Sequence, residues 1–369
     1  MKYSVLLVSP LSPLGGIVSW SNNVLSYMKE NNIFSVKHLD SSIRFKTITN
    51  GHGFRRFYSA VLDSTLIFVN LMIACHKYTP QTICFTSSAS LSLFKDLVFM
   101  IIARSYRGKC VFHYHFGRIP ALKRKNNWEW RLIKKIVKCS YRSIVIDMPS
   151  YITLCGEGLR EKIVYIPNPC SLSIEKIARQ PVNTNKSEEF IFVGHVIHTK
   201  GVFELVKAFV LIEEEFGLTL IGAYENDIKE ELLKIAKEKH NGCWLKFKGG
   251  IDGIEVLERM QYAKALILPS YSEGFPNVVL EAMACGCPVI ATNVGAIPDM
   301  LGMGEKETAG ICISPYSIDE LCSSIKYVVS KENFLLECAI NGKKRVLKHY
   351  TMDSIFPLYA QTWGVATYD

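Results

Sequence analysis

Short apolar runs alternate with stretches of helical spacing along the whole chain. In the first half, YSVLLVS, TICFTS, CVFHYHF, SIVID and IVYIPN read as strands, while residues 19–30 and 93–106 carry apolar side chains at helical spacing. In the second half the strand runs are EFIFVG, LTLIGA, WLKFKG, ALILPS and CPVIAT, with helices at 202–216 and 227–239 between them. Such alternation predicts parallel sheets with helices on both faces. Around residues 168–189 the rhythm lapses into a polar stretch with two prolines, which places a linker at 171–188. The pattern divides the chain into Rossmann-like domains at 1–170 and 189–351. A last helix at about 352–369 is expected to pack back on the first domain.

The fold class is therefore α/β, two doubly wound Rossmann-like domains in series. The length agrees, since 369 residues are too many for one ordinary core and suit two domains. Ligands of open parallel sheets bind beyond the carboxyl ends of the strands. Two such domains would face each other across a cleft and carry their chemistry in loops that follow strands.

Composition removes several classes. An apolar fraction of 49% and a charged fraction of 21% are ordinary for a globular protein. The most apolar stretch, residues 61–75, is short and carries Asp63 and Asn70, so no spanning helix is expected. The run after Met1 and Lys2 is too short for the apolar core of a secretory signal and reads as a first strand. Twelve cysteines form no C-x-x-C pair, and only Cys285 and Cys287 lie close together. Buried free thiols in a reducing, cytoplasmic setting are expected, with neither a disulfide framework nor a zinc site.

Charge is uneven. Residues 1–170 hold 23 Lys and Arg against 8 Asp and Glu, a balance of +15, and the remainder 20 against 26, a balance of −6. The first half should meet an anionic partner: membrane lipid, nucleic acid or a phosphorylated substrate.

The densest chemistry is PSYSEGFPNVVLEAMACGCPVIAT, residues 269–292. ALILPS is a strand, SYSEGF the loop at its carboxyl end, Pro276 suits the first turn of a helix, and Gly286 stops that helix before the next strand. The helix amino end suits a diphosphate. Glu273 in the loop and Glu281 in the helix can accept bonds from sugar hydroxyls.

Glu273 and Glu281, with Gly274, Phe275, Pro276 and Asn277 between them, resemble the Glu-x7-Glu motif of the retaining GT-B glycosyltransferases, glycosyltransferase family four. The resemblance implies a GT-B architecture and a nucleotide-diphosphate sugar donor, of uridine or guanosine type, with no metal and no further cofactor. In that family the first Glu contacts the donor sugar and the second the ribose. FIFVGHVIHTKGVFELVKAF, residues 190–209, is similar to the family's strand–loop segment in which an Arg and a Lys neutralise the donor diphosphate. Lys200 matches the Lys. The Arg position holds His195, and an imidazole makes no bidentate fork.

Gly15 and Gly16 follow the first strand, either as a simple turn or as a close backbone approach to a ligand. The resemblance implies contact with the donor phosphates. In CVFHYHFGR, residues 110–118, His113 and His115 share one strand face, and His115 matches the family's histidine that reaches donor sugar and acceptor; His113 reads as a core residue. The segment RIPALKRKNNWEWRLIKKIVKC, residues 118–139, is basic with aromatics. It fits a membrane-surface helix with Trp128 and Trp130 at headgroup level, or a packed helix whose lysines are solvated.

The resemblance implies sugar transfer to a glycan or lipid-linked hydroxyl in polysaccharide or lipopolysaccharide synthesis. An anionic membrane surface joins as partner, and nucleic acid does not. The enzyme would be cytoplasmic or peripheral on the inner membrane face. The rival readings are a GT-B sugar-nucleotide epimerase or synthase, or a catalytically dead membrane-binding protein.

Overall fold

The computed structural model describes residues 4–12, 15–33, 35–42 and 53–364, with 53–61 as backbone only. The chain divides into two compact units, residues 1–169 with 352–369, and residues 170–351.

The first unit holds β1 (Val5–Ser9), β2 (Val36–Asp40), β3 (Thr82–Ser87), β4 (Lys109–Tyr114), β5 (Arg142–Val145) and β6 (Ile163–Tyr165). All pair in parallel, in the order β2-β1-β3-β4-β5-β6. Chain direction across the sheet reverses at β1, so the switch point lies between β1 and β3. Both strands are buried at every position, as parallel strands covered on two faces must be. Helices Gly53–Tyr78, Ser92–Ser105 and Trp128–Cys139 cover one face around Leu71, Phe85, Phe99, Phe112 and Ile133. Helix Gly16–Glu30 and the C-terminal helix Met352–Trp363 cover the other, around Leu7, Trp20, Val111 and Tyr359. Trp20 Nε1 donates to Tyr359 Oη at 2.8 Å and ties that last helix to the first unit. Residues 365–369 of the expected last helix lie outside the described residues.

The second unit holds β7 (Glu189–Val193), β8 (Gly217–Ile221), β9 (Leu245–Gly249), β10 (Ala265–Leu268), β11 (Val289–Thr292) and β12 (Gly310–Ile313). Its order, β12-β11-β10-β7-β8-β9, is again all parallel. Read from the other edge this is the 3-2-1-4-5-6 order of dinucleotide-binding sheets, with the switch point between β7 and β10.

The structure departs from the sequence expectation in a few places. Each sheet has a sixth strand at an edge, β2 or β12; β2 is half-buried at all five positions with Lys37, His38 and Asp40 breaking its apolar run, and β12 has only four residues. Within the expected linker, Leu172–Ala178 is a helix capped by Ser171 and buried at Ile174 and Ala178. The helix expected over 202–216 ends at Leu211, because Ile212 is extended. The basic segment is two helices, Ile119–Lys125 and Trp128–Cys139, broken at the left-handed Asn126 and restarted by the Asn127 cap. Trp130 is buried in the core, so it cannot sit at headgroup level, and Lys123 and Lys134 both bind Glu157, at 2.8 and 3.0 Å. Among the described residues no helix is long and apolar enough to cross a membrane.

Candidate functional site

In the second unit the singled-out residues gather at the switch point between β7 and β10. The chain leaves β7 at Gly194, makes one tight turn over His198–Lys200, and enters helix Val202–Leu211 through Gly201. Gly201 has φ +70°, and a Cβ there would lie 2.1 Å from the Pro269 carbonyl oxygen. Only glycine lets this loop lie directly on the end of β10. Tyr271 N–H donates to the Thr199 carbonyl at 3.0 Å and joins the two loops again. The result is an ion pair across 73 residues of sequence, Lys200 Nζ to Glu273 Oε1 at 2.5 Å, with side chains 27% and 12% exposed.

A third loop supports Glu273 from behind. Ala296 N–H donates to the Gly274 carbonyl at 2.8 Å. Gly295, at φ +58°, packs so closely that a Cβ would lie 2.4 Å from the Glu273 carbonyl oxygen and 2.5 Å from that of Gly274. Phe275 is buried edge-on against Tyr350, 5.7 Å between ring centroids, so its side chain anchors the loop and does not offer itself to a ligand. The following helix runs Asn277–Ala284. Pro276 precedes it with ψ 108°, so the helix starts one residue later than the sequence suggested. No side chain caps its amino end, which leaves backbone amides available to an anion.

On the second turn, Glu281 is half-buried, and its carboxyl has no hydrogen bond or ion pair among the described residues. Burial raises its carboxyl above the usual range. A carboxylate left in this state is costly unless a ligand brings donors to it. His195 is exposed and also has no side-chain partner among the described residues. Sequence reasoning missed the supporting glycine Gly295. It also missed Tyr271, which donates to Glu204 Oε2 at 2.8 Å and lies 4.0 Å, ring to ring, from the exposed Tyr316. No sequence signal ties Gly295 to Glu273, because only the adjacency of β10 and β11 brings them together.

In the first unit, a cavity of about 330 Å³ sits at the β1/β3 switch point, lined by Ser12, Gly15, Gly16, Ser41, Thr86 and Lys95 among others. A Cβ at Gly15 or Gly16 would meet nothing within 4 Å, so both border open space. His115 follows β4, its N–H bonded to the Ser87 carbonyl at 3.0 Å. Its ring lies 3.9 Å from that of His113 and 5.0 Å from Trp20 on the helix that starts at Gly16. The ring nitrogens of both histidines are shut off from solvent without a partner among the described residues. Burial pushes His115 down to about 3 and holds His113 well below its ordinary value, so both are neutral imidazoles. Among the described residues no three His, Cys, Asp or Glu are grouped to hold a metal ion.

Comparison with known proteins bears on this arrangement. An uncharacterized glycosyltransferase of Methanocaldococcus jannaschii is 27% identical over 202 residues, which cover 53% of this chain and 51% of the relative. The capsular polysaccharide biosynthesis glycosyltransferase of Staphylococcus aureus is 28% identical over 170 residues, covering 45% and 43%. The chain thus spans about half the length of the curated relatives it matches. Over 99% of this chain and 100% of the other, the fold resembles that of Anabaena HepE in complex with UDP, with TM-score 0.69 and 16% identity. The fold is that of the GT-B glycosyltransferases, with a parallel six-stranded sheet in each unit, and residues 173–345, which contain Lys200, Glu273 and Glu281, match the family model for glycosyl transferases group 1.

Proposed function

We propose that the chain is a retaining glycosyltransferase, moving a sugar from a uridine or guanosine diphosphate donor to a hydroxyl of a glycan or lipid-linked acceptor. The observation that carries this reading is the Lys200–Glu273 pair beside an uncapped helix amino end at Asn277. A cation and free amides suit a diphosphate, and a carboxylate beside them suits sugar hydroxyls. The unpartnered Glu281 suits the ribose hydroxyls. His195 adds a weak phosphate contact, and Gly15 and Gly16 leave room for phosphate in the first unit. His115, kept neutral, can exchange one hydrogen bond with sugar or acceptor. Anabaena HepE binds UDP and the Staphylococcus aureus relative serves capsule synthesis, which favours a cell-surface polysaccharide as product.

In the proposed step the acceptor oxygen bonds to the anomeric carbon as the bond from that carbon to the diphosphate oxygen breaks on the same face. The electron pair leaves with the phosphate, which takes the acceptor proton. Lys200 and the helix amides stabilise the charge that grows on the diphosphate, so catalysis is electrostatic preorganisation with no covalent enzyme intermediate and no metal. The test is mass spectrometry of products from a donor panel with a lipid extract, with the new anomeric configuration read by NMR. Heat of binding for UDP or GDP is measured alongside. Absence of heat with both nucleotides would overturn the reading. An isomerised nucleotide sugar formed without acceptor would instead assign an epimerase.

A further inference from the structure

Beyond the carboxyl end of β12 the chain turns through Ser314, Pro315, Tyr316 and Ser317, and Ser317 N–H donates to the Ser314 carbonyl at 3.3 Å. Proline at the second place and a positive φ at the third are the pattern of a type II turn, whose third place suits Gly or Asn. Tyr316 stands there instead, at φ +67°. A bulky side chain in the left-handed region is uncommon, and such residues gather at sites with a function. Tyr316 is 64% exposed. One face of its ring lies on Tyr271, 4.0 Å between centroids and 34° apart, so the opposite face meets solvent. Tyr271 is itself fixed at both ends: its N–H donates to the Thr199 carbonyl at 3.0 Å, and its hydroxyl to Glu204 Oε2 at 2.8 Å. It stands two residues before Glu273, in the loop that meets Lys200. The Tyr316 hydroxyl has no hydrogen-bond partner among the described residues, and the exposed Thr199 and Ser272 adjoin Tyr271.

We propose that Tyr316, seated on Tyr271, is a stacking platform on the second unit for a neutral sugar ring of a glycan. A fixed aromatic face takes up the C–H face of the sugar, and the hydroxyls of Tyr316, Ser272 and Thr199 answer those of the sugar. Charge selects a neutral glycan over a phosphorylated sugar or a nucleotide. Glu204 accepts from Tyr271, Glu320 accepts from Ser314 N–H at 2.7 Å, and Asp319 beside it is exposed. A phosphate brought to this ring would meet like charge from these carboxylates. The platform deepens the function above and rests on that reading at one point only: the glycan held here is the acceptor, which then carries more than one sugar.

Affinity electrophoresis through gels cast with glycogen, dextran or yeast mannan tests it, with the heat of UDP binding and thermal unfolding measured alongside. The parent should be retarded by at least one of the three glycans. Tyr316→Gly removes the ring and suits the backbone, so its melting temperature should hold or rise. Its dissociation constant for the retarding glycan should rise at least about tenfold. Tyr316→Trp should keep or strengthen retardation, since the larger ring offers a wider face. A parent that gives UDP heat yet runs freely in all three gels overturns the platform and leaves the nucleotide reading standing. A parent retarded by a glycan without UDP heat keeps the platform and removes the nucleotide reading. Retardation unchanged by Tyr316→Gly also overturns the platform, because the glycan then binds elsewhere. A parent dimer that Tyr316→Gly converts to monomer, with neither retarded, would overturn it in favour of self-association.

Discussion

Gly295→Ala tests whether Glu273 is held from behind. The new Cβ would lie 2.4 Å from the Glu273 carbonyl oxygen and 2.5 Å from that of Gly274, where ordinary contact begins at 3.4 Å. The loop must therefore retreat by about 1 Å, the difference between ordinary contact and the closer clash. Such a shift stretches the 2.8 Å bond from Ala296 N–H to the Gly274 carbonyl past useful length. Holding alanine at φ +58° costs about 1–2 kcal/mol and the bond about 1 more, ~2–3 kcal/mol together. At roughly 2–4 °C per kcal/mol for a unit of this size, the melting temperature should fall by about 4–12 °C. Turnover should fall further, since a displacement of about 1 Å at a catalytic contact can cost on the order of a hundredfold. Gly304→Ala is the control: φ is +86° but nothing lies within 4 Å of the new Cβ, so it carries the backbone cost without the clash. Differential scanning calorimetry and donor turnover on both variants decide the matter. If Gly295→Ala melts with Gly304→Ala and turns over like the parent, the loop does not position Glu273.

Glu281→Gln should lower UDP affinity about ten- to hundredfold, since a hydrogen bond to a charged acceptor contributes ~1.5–3 kcal/mol; equal binding by titration calorimetry would remove Glu281 from the site. The same variant should be more stable than the parent at pH 7. The folded carboxyl is raised, so its penalty is absent below the unfolded value and grows as pH rises through the folded one. The gain in melting temperature should vanish near pH 4, and a gain constant with pH would contradict the burial argument. Glu273→Gln should cut turnover at least tenfold while UDP affinity holds or rises, because Lys200 is then freed for the diphosphate. His195→Arg should tighten UDP several-fold by supplying a permanent charge and a fork, and unchanged affinity would show that this position does not face the phosphates.

The central strands were legible from sequence because strands covered on both faces are apolar at nearly every position, as VLLVS and TICFTS are. The helix after β10 was legible too, through Pro276 near its start and Gly286, at φ +64°, past its end. Of the four edge strands, β6 and β9 were legible, and β2 and β12 were not. VKHLD has half-exposed residues at all five positions, so its pattern carries little of the sheet it joins. The basic segment was misread in part, because a tryptophan's identity does not say which way its helix turns, and Asn126–Asn127 reset that helix so that Trp130 points inward. Sequence named Glu273 and Glu281 as the pair of one motif, and Lys200 through another. Their roles depend on contacts that no local spacing encodes. Lys200 meets Glu273 only because β7 and β10 are neighbours at the switch point, and Gly295 lies behind Glu273 only because β11 is next. Local periodicity determines what a segment becomes; which distant segment lies against it is decided when the sheet orders its strands, and the site forms there.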